Sequence, residues 1–532
     1  MKKILPKFLL LLGVGGAFSA CNNDLDEKVY SDVTESTYGY DNVYGATGIV
    51  YARMRDLFGH TTYYMLQETS SDELVQPANA SGWDDGGIYK RIHLHTWNST
   101  NPQLNNLWNT LYQGALNANR VIDQLQAGKI PLPSTGASKE SLVAEMRVAR
   151  AFFYWLILDN FGDAPLVNTL TTELPAKATR KEIYQFVVTE ITASLPALSE
   201  DTGPLLYGRF NKWAAKALLA NVYLNAKVYV GEEKWTDCLA QCNDIIGKYS
   251  LDPTYRAIFK TDNEKSPEIV FAVPFDENRG GGFFPEMFSW HGALKAKSNM
   301  QATPWGFGSA MGVPQFIDTY DPADERLADT WLMGQQYALD GSAIQTSGKP
   351  FVLTKELPDG LFTGETEGFR MNKFEVKVGA LSGLSNDFPF FRYAEVLMMK
   401  AECLLRTGDA AGAATLVSQV RAQHGFKKTP GKAAVTAAEL AQNSRYRYGY
   451  VEKYAVVDPG NTAAVPYGRF LDELGWEFAW EGHRRRDMIR FGTFTTKSWL
   501  SHKPQGDYRT VFPIPQIQIG ANPNISQNPS YQ

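Results

Sequence analysis

Several features that mark common protein classes are scarce in this sequence. Charged residues make up only 20% of the 532 residues and the formal net charge is −5, which argues against nucleic acid as a partner. Cysteines number four; Cys238 and Cys242 stand four apart in a predicted helix, with no histidine nearby and no CxxC spacing. We therefore expect small buried side chains there and no metal site. No stretch beyond the N-terminus has about 18 uninterrupted apolar residues, so no later membrane-spanning helix is predicted.

Motifs that carry catalysis are also missing. GxSxG, HExxH, the P-loop and the dinucleotide fingerprint do not occur in a fitting context. His93 and His95 alternate as they would on one face of a strand, but no third metal ligand can be named. Asp84 and Asp85 invite comparison with a glycosidase pair, yet adjacent residues seldom converge on one bond. The sequence therefore favours a binding protein that is not an enzyme and uses no cofactor.

The N-terminus has the pattern of a bacterial lipoprotein signal. A basic start that includes Lys2 and Lys3 precedes the apolar run 8–14, and small residues then lead to Cys21. This pattern predicts cleavage before Cys21 and acylation of its thiol. The mature chain would then be held at a membrane surface by its lipid.

Helical periodicity runs through much of the chain, which is 44% hydrophobic and can bury a large core. Residues 140–161 predict a buried amphipathic helix of over five turns, ended by Gly162 and Pro165. Further helices are predicted at 38–58, 104–126, 180–198, 210–229, 235–248, 393–406, 410–423 and 470–490. Their pairing, with small residues at the crossings, resembles tetratricopeptide units with irregular spacing. Such arrays serve as scaffolds and partner-binding surfaces.

Two irregular stretches carry aromatic residues. Residues 68–102 are polar and glycine-rich, so we expect them outside the core; residues 250–389 suggest short strands, one at Ile269–Val273. Exposed rings among Asp, Asn and Gly suit a sugar, which needs a flat apolar face and short polar partners for its hydroxyls. The alternative is that these rings only pin the loops to the body. The rings concerned are Trp83, Tyr89, Trp97, Trp290, Trp305, Phe307 and Tyr320.

Several stretches taken together resemble the SusD/RagB family of surface lipoproteins. They are the lipoprotein signal with Leu25-Asp26, residues 147–155 with 161–167, residues 391–403, residues 471–492, and the tail at 512–515 and 522–531. The resemblance covers essentially the whole chain in order.

This resemblance implies a mainly α fold, the SusD-like fold, in which four degenerate tetratricopeptide-like helix pairs support a loop-rich half with short strands. Residues 1–20 would be the signal peptide and 21–532 a single body, with an N-terminal part at about 21–230 and a C-terminal part at about 260–532. It also implies a lipid-anchored protein of the outer-membrane surface. That protein would capture an oligosaccharide or polysaccharide and cover a SusC-like TonB-dependent transporter as a lid.

The resemblance also directs attention to residues of a ligand cleft, with Trp83 foremost because glycines flank it and no helix buries it. Arg370 offers a forked pair of donors to vicinal hydroxyls. The candidate ligand-binding residues are Asp72, Trp83, Asp84, Asn101, Trp290, Trp305, Arg370, Asn386 and Tyr393. Alternatives are capture of a peptide by a RagB-like importer subunit, a surface glycoside hydrolase, and a role in adhesion.

A basic cluster at Arg484–Arg486 could suggest an anion site. Glu473, Glu477 and Glu481 lie in the same predicted helix, together with Asp487. We therefore expect ion pairs within the helix and helix docking to account for the cluster.

Overall fold

A computed structural model describes residues 42–79, 84–133, 136–279, 282–305 and 310–531. In the first half of this part of the chain the α-helices are α1 (Val43–Arg55), α2 (Tyr63–Thr69), α3 (Ile88–His93), α4 (Pro102–Gln126), α5 (Lys139–Phe161), α6 (Arg180–Ser194), α7 (Lys212–Leu224), α8 (Ala226–Val230) and α9 (Trp235–Ile245). Those that follow are α10 (Pro285–Ser289), α11 (Lys295–Ser298), α12 (Pro314–Ile317), α13 (Glu325–Thr330), α14 (Tyr393–Thr407), α15 (Ala410–Val420), α16 (Ala437–Leu440), α17 (Gly468–Phe478), α18 (Arg484–Arg490) and α19 (Gln516–Ala521). None of these helices has the length and apolar character needed to cross a bilayer.

Helix α5 lies at the centre of the helical half. The Ser138 side chain accepts a hydrogen bond from the Ser141 N–H at its start, and Gly162 with φ of 69° ends it, as expected of an N-cap serine and a C-terminal glycine. Every residue from Val148 to Phe161 is buried. The helix predicted as amphipathic is therefore enclosed on all sides over its second half, and α4 and α6 are the helices that pack most extensively against it.

The other long helices form a layered array around α5. Helix α7 packs on α9, α9 on α14, and α14 on α15. Two ion pairs connect α5 to α6. The Glu190 carboxylate of α6 pairs with Arg147, at 2.7 Å, and with Arg150, both of α5. Cys238 and Cys242 are buried residues of α9, which confirms the interpretation that they serve as small buried side chains. The predicted mainly α fold class is confirmed.

The predicted helix at 470–490 is two helices, α17 and α18, because the backbone turns between them. Trp480 has φ of 67° and Gly482 has φ of 76°, values that end a right-handed helix. The freed Gly482 N–H donates to Glu68 Oε1 at 2.6 Å. The expectation that Arg484 pairs within its own helix is wrong, since its guanidinium binds Asp72 instead.

Short strands connect the loop-rich half. Apart from β15 (Gly449–Glu452), which lies between β16 and β17, each strand pairs with one other, and the predicted strand Ile269–Val273 pairs antiparallel with Phe388–Arg392. In chain order they are β1 (Leu74–Val75), β2 (Ala78–Asn79), β3 (Ala164–Pro165), β4 (Lys177–Ala178), β5 (Ile269–Val273), β6 (Met311–Gly312), β7 (Trp331–Leu332), β8 (Gly334–Gln335), β9 (Gln345–Thr346), β10 (Lys349–Pro350), β11 (Val352–Leu353), β12 (Phe362–Thr363), β13 (Arg370–Met371), β14 (Phe388–Arg392), β15, β16 (Ala455–Asp458) and β17 (Trp499–Leu500).

A buried ionic network holds the two halves together. Glu477 of α17 accepts from Arg326 of α13 at 2.9 Å and from Arg392 of β14 at 2.7 Å. Glu473, one turn earlier, accepts from Arg326 and Arg421, both at 2.7 Å. All of these side chains are buried, so removal of one member would leave an uncompensated charge in the core.

The start of the first irregular stretch belongs to the core, contrary to expectation. Side chains from Gln67 to Gln76 are buried, and Asp72 and Glu73 have no exposed surface. Their polarity misled the sequence interpretation because their partners, such as Arg484, lie some 400 residues away in the chain. His93 ends α3 and His95 has φ of 53°, so they do not lie on one strand.

Candidate ligand-binding site

Trp305 stands apart from the other tryptophans that the structure describes. Its exposed fraction is 37%, whereas every other described tryptophan is buried. Its ring contacts His60 edge-on, with 5.1 Å between ring centroids, and Phe284, at 5.8 Å. The Trp305 N–H donates to the Met287 carbonyl at 2.8 Å, so the backbone that carries the ring is fixed to α10. A fixed, exposed ring is a surface on which a ligand can stack.

A cavity of about 470 Å³ opens beside this ring and shares Phe284 with it. Its volume is in the usual range for small-molecule sites. The end of α1, the face of α4 and the loop after β5 form its walls. The lining residues are Arg55, Asp56, Gly59, Thr62, Asn106, Asn109, Thr110, Gln113, Phe275, Gly282 and Phe284.

Helix α4 supplies a row of side-chain amides to this cavity. Asn106, Asn109 and Gln113 follow each other at intervals of three and four residues, so they share one helix face. Asn106 and Gln113 are exposed, and the Asn106 Nδ2 reaches Thr61 Oγ1 at 3.3 Å. Amides both donate and accept hydrogen bonds, as sugar hydroxyls also do. The row therefore suits a neutral, hydroxyl-rich ligand.

The electrostatics of the cleft are nearly balanced. Arg55 and Asp56 are its charged lining residues, and Asp56 pairs with Arg53 at 2.9 Å. Burial lowers the pKa of His60, although the Asp85 carboxylate opposes this shift. The His60 ring is thus neutral at pH 7, and the cleft has no strong preference for a charged ligand.

Asp84 begins a described segment whose next residue acts on His60, but it is not among the lining residues of the cavity. The Asp84 carboxylate pairs with Lys90 at 2.9 Å, and Asp85 acts on His60. Trp83, the residue before this segment, lies outside the described residues, as do Cys21 and Phe307. Among the described lining residues of the cavity, Asp56 is the only carboxylate, whereas glycoside hydrolysis usually requires two facing carboxyl groups.

Asp72 is a buried structural ion-pair partner. Its carboxylate accepts from Arg484 Nε at 2.6 Å and Nη2 at 3.1 Å, and from the Tyr448 hydroxyl at 3.1 Å. Its exposed fraction is zero. Contact between Asp72 and a ligand stays a prediction that this burial disfavours, since a ligand would have to replace Arg484.

Trp290 and Arg370 are also buried. The Trp290 indole N–H donates to the Met371 carbonyl at 2.7 Å. Arg370 Nη1 donates to the Gly368 carbonyl at 2.9 Å, while its Nε and Nη2 have no hydrogen-bond partner among the described residues. Burial lowers the pKa of Arg370 to about 9, against the opposing effect of Glu367. The predicted fork of donors exists, but it faces the interior.

Three further predicted residues are engaged within the protein: Asn386, Tyr393 and Asn101. The Asn386 amide donates to two backbone carbonyls at 2.8 and 3.1 Å, and Tyr393 begins α14 with its ring buried. Asn101 precedes α4, where its Oδ1 accepts from Arg91 Nε at 3.3 Å. Of the predicted residues that are described, only Trp305 is placed beside the cleft, through its ring contact with the lining residue Phe284. The further aromatic candidates that are buried are Tyr89, Trp97 and Tyr320.

Comparison with known proteins assigns the chain to a family. A model of the SusD family matches residues 246–531, more than half of the chain. The chain belongs to the SusD family. A second model, described as "Starch-binding associating with outer membrane", matches residues 26–224. The resemblance found in the sequence is confirmed.

Relatives of this SusD-family chain cover nearly its full length. The starch-binding protein SusD of Bacteroides thetaiotaomicron is 24% identical, over 98% of each chain. Among solved structures, B. fragilis NanU has a TM-score of 0.71 at 18% identity, covering 94% of this chain and 99% of its own. Surface glycan-binding protein A from B. thetaiotaomicron, in complex with laminarihexaose, has a TM-score of 0.64 at 18% identity, covering 91% and 98%. These structures establish the SusD-like fold of this chain.

Sequence reasoning missed most of the residues that form the cleft. His60 and Phe284 carry no motif, and they meet Trp305 only in the folded chain. The amides Asn106 and Asn109 did leave a signal, since polar residues at helical spacing opposite the apolar stripe of α4 mark an exposed face.

A buried cluster of Glu268, His424 and Glu477 has the donor types of a metal site but a different role. Their ligand atoms lie within 4.8 Å of one another. Arg392, however, donates to both carboxylates, at 2.8 and 2.7 Å, and His424 Nδ1 lies 2.8 Å from Glu477. Burial alone would lower the pKa of His424, but the two carboxylates raise it to about 9. The ring is therefore a cation that already neutralises the cluster.

Proposed function

We propose that this SusD-family chain captures an oligosaccharide or polysaccharide in the cleft beside Trp305. The observation that carries the proposal is the exposed ring of Trp305 next to a cavity lined by side-chain amides. A pyranose has apolar C–H faces and a rim of hydroxyls, so it can stack on the ring and exchange hydrogen bonds with Asn106 and Gln113. The names of the starch-binding relative and of the laminarihexaose complex support this ligand class.

The proposal includes delivery of the glycan to a SusC-like TonB-dependent transporter of the outer membrane. Acylation of Cys21 would hold the chain at the cell surface, and the packed helices would give the transporter a rigid face to bind. The chain would act as a lid over the transporter pore. The description of the matching family model as associating with the outer membrane supports this location.

The chain would not be an enzyme, since uptake needs only binding, and Asp56 is the one carboxylate among the described lining residues. A glycoside hydrolase is therefore the weaker alternative. Peptide capture by a RagB-like importer subunit is also weaker, because the cleft lacks an excess of either charge that would fix peptide termini.

A glycan panel tests this proposal. The purified chain would be titrated calorimetrically with neutral glucans, including laminarihexaose and maltohexaose, and compared with Trp305→Ala and Trp305→Phe. Loss of one stacked ring corresponds to about 1 kcal/mol, or roughly a fivefold loss of affinity, and more when the ring anchors the site. Trp305→Phe should keep most of the affinity because it keeps a ring.

Tyr337→Ala is a matched control, since Tyr337 is an exposed aromatic residue, 52% accessible, that does not line the cleft. It should bind as the unmodified chain does. Equal affinity of the unmodified chain and Trp305→Ala would refute the site, and release of shorter sugars during the titration would refute the non-enzymatic role.

A further inference from the structure

A larger cavity, of about 730 Å³, lies at the opposite end of strand β5 from the Trp305 cleft. Ile269, the first residue of β5, lines it, whereas Phe275, two residues beyond the strand, lines the cleft. Six residues at ~3.3 Å each place the two about 20 Å apart. We propose that this cavity is a second glycan-binding site, an inference that rests on the proposed function of the chain.

Two tyrosine rings form the walls of this cavity. Tyr207 and Tyr249 are both partly exposed. The Tyr249 hydroxyl accepts a hydrogen bond from Asn211 Nδ2 at 3.3 Å, and burial together with the Asp387 carboxyl raises the pKa of Tyr207. Asn211 is buried, and the Tyr207 hydroxyl oxygen is itself buried, so both hydroxyls are directed into the protein. The rings are left to face the cavity, where they can stack on a sugar.

The remaining lining combines small apolar surfaces with short polar groups. Pro204 and Pro267 add apolar surface. Thr202, Ser250 and Ser266 bring hydroxyls to the margin.

Charges of both signs border the cavity, from two lysines and one glutamate, so the net charge is only one. Lys265 lies 3.9 Å from Glu264, and Lys248 is held over the Trp213 ring at 4.6 Å. Neither sign dominates, so the cavity is suited to a neutral ligand with apolar faces and hydroxyls. A pyranose unit has this chemistry.

Two sites on one chain would distinguish a polysaccharide from a short oligosaccharide. A polymer that occupies one cavity brings its other segments to the second at a high effective concentration, so the two contacts reinforce each other without new surface. A short oligosaccharide fills the sites one at a time. The second cavity would therefore select long chains of the same glycan.

The number of hexasaccharides bound per chain tests the second site. Calorimetry with laminarihexaose and maltohexaose on the full chain should give two equivalents, one lost in Trp305→Ala and the other in Tyr249→Ala. Tyr249→Phe keeps the ring and should keep both. Thr202→Arg places a long side chain across the cavity from an exposed position, so it should also remove one equivalent if Tyr249→Ala fails to fold.

The outcomes separate this inference from the proposed function. One equivalent in the unmodified chain, abolished by Trp305→Ala and unchanged by Tyr249→Ala and Thr202→Arg, would overturn the second site and leave the first. An equivalent at Tyr249 that a peptide displaces would overturn its assignment to glycans. Absence of binding to the unmodified chain would overturn the proposed function itself.

Discussion

Gly114 determines how closely α4, which carries the amide row of the cleft, approaches the central helix α5. A Cβ at this position would lie 2.6 Å from Phe153 Cδ1 and nearer still to Cε1 and Cζ. Phe153 is fully buried and packs on Phe152, so it has no free space to move into. Gly114→Ala therefore forces the helices apart or the ring out of its rotamer.

The magnitude follows from two opposing effects. Alanine in a helix interior is favoured over glycine by about 1 kcal/mol, whereas overpacking a filled core costs about 1–3 kcal/mol. Since three ring carbons are affected, we take the upper value and expect Gly114→Ala to lower the free energy of unfolding by about 2 kcal/mol. Gly48, on the exposed face of α1, has nothing within 4 Å of an added Cβ. Gly48→Ala should raise the free energy of unfolding by about 1 kcal/mol.

Urea unfolding of both variants, followed by circular dichroism, measures this difference. The expected separation between the two variants is about 3 kcal/mol, with opposite signs relative to the unmodified chain. Equal stabilities of Gly114→Ala and Gly48→Ala would show that α4 and α5 do not pack as closely as the structure has them, and the position of the amide row would then be wrong.

Two further predictions concern buried cations. Because the carboxylates of Glu268 and Glu477 raise the pKa of His424 to about 9, the stability from this contact is fully present below about pH 6.5 and is lost as the pH rises through 9. The amount is on the order of 3 kcal/mol. His424→Gln should therefore weaken the dependence of the urea midpoint on pH between pH 6.5 and 9. An unchanged pH dependence would contradict the ionic role of His424. Arg370→Met should unfold at an equal or higher urea concentration, because an arginine with two unpaired donors loses solvation without compensation. A marked drop would show that the Arg370 donors have partners.

The helices followed from local information, but not all of their ends did. The apolar spacing of the run from Val148 to Phe161 predicted a buried helix, and Gly162 indicated where that helix ends. The break between α17 and α18 was missed because glycine is tolerated within helical patterns. What decides it is the bond from Gly482 to Glu68, a residue from the opposite end of the chain.

The candidate site shows the same division. Aromatic residues in an irregular stretch pointed to a stacking surface, and Trp305 was among those predicted. Trp305 is exposed, whereas Trp290, fifteen residues earlier, is buried, because its indole N–H donates a hydrogen bond to the Met371 carbonyl in the interior. The polar stretch that includes Asp72 was assigned to the surface since its partner Arg484 could not be foreseen.

The sequence by itself determined the helical class, the family and the presence of aromatic residues in the irregular stretches, because periodicity and motif order are written along the chain. Tertiary structure alone decided which rings and carboxylates remain open to a ligand. Burial depends on partners such as Arg484 for Asp72 and the Met371 carbonyl for Trp290, which are brought together by folding and leave no local trace.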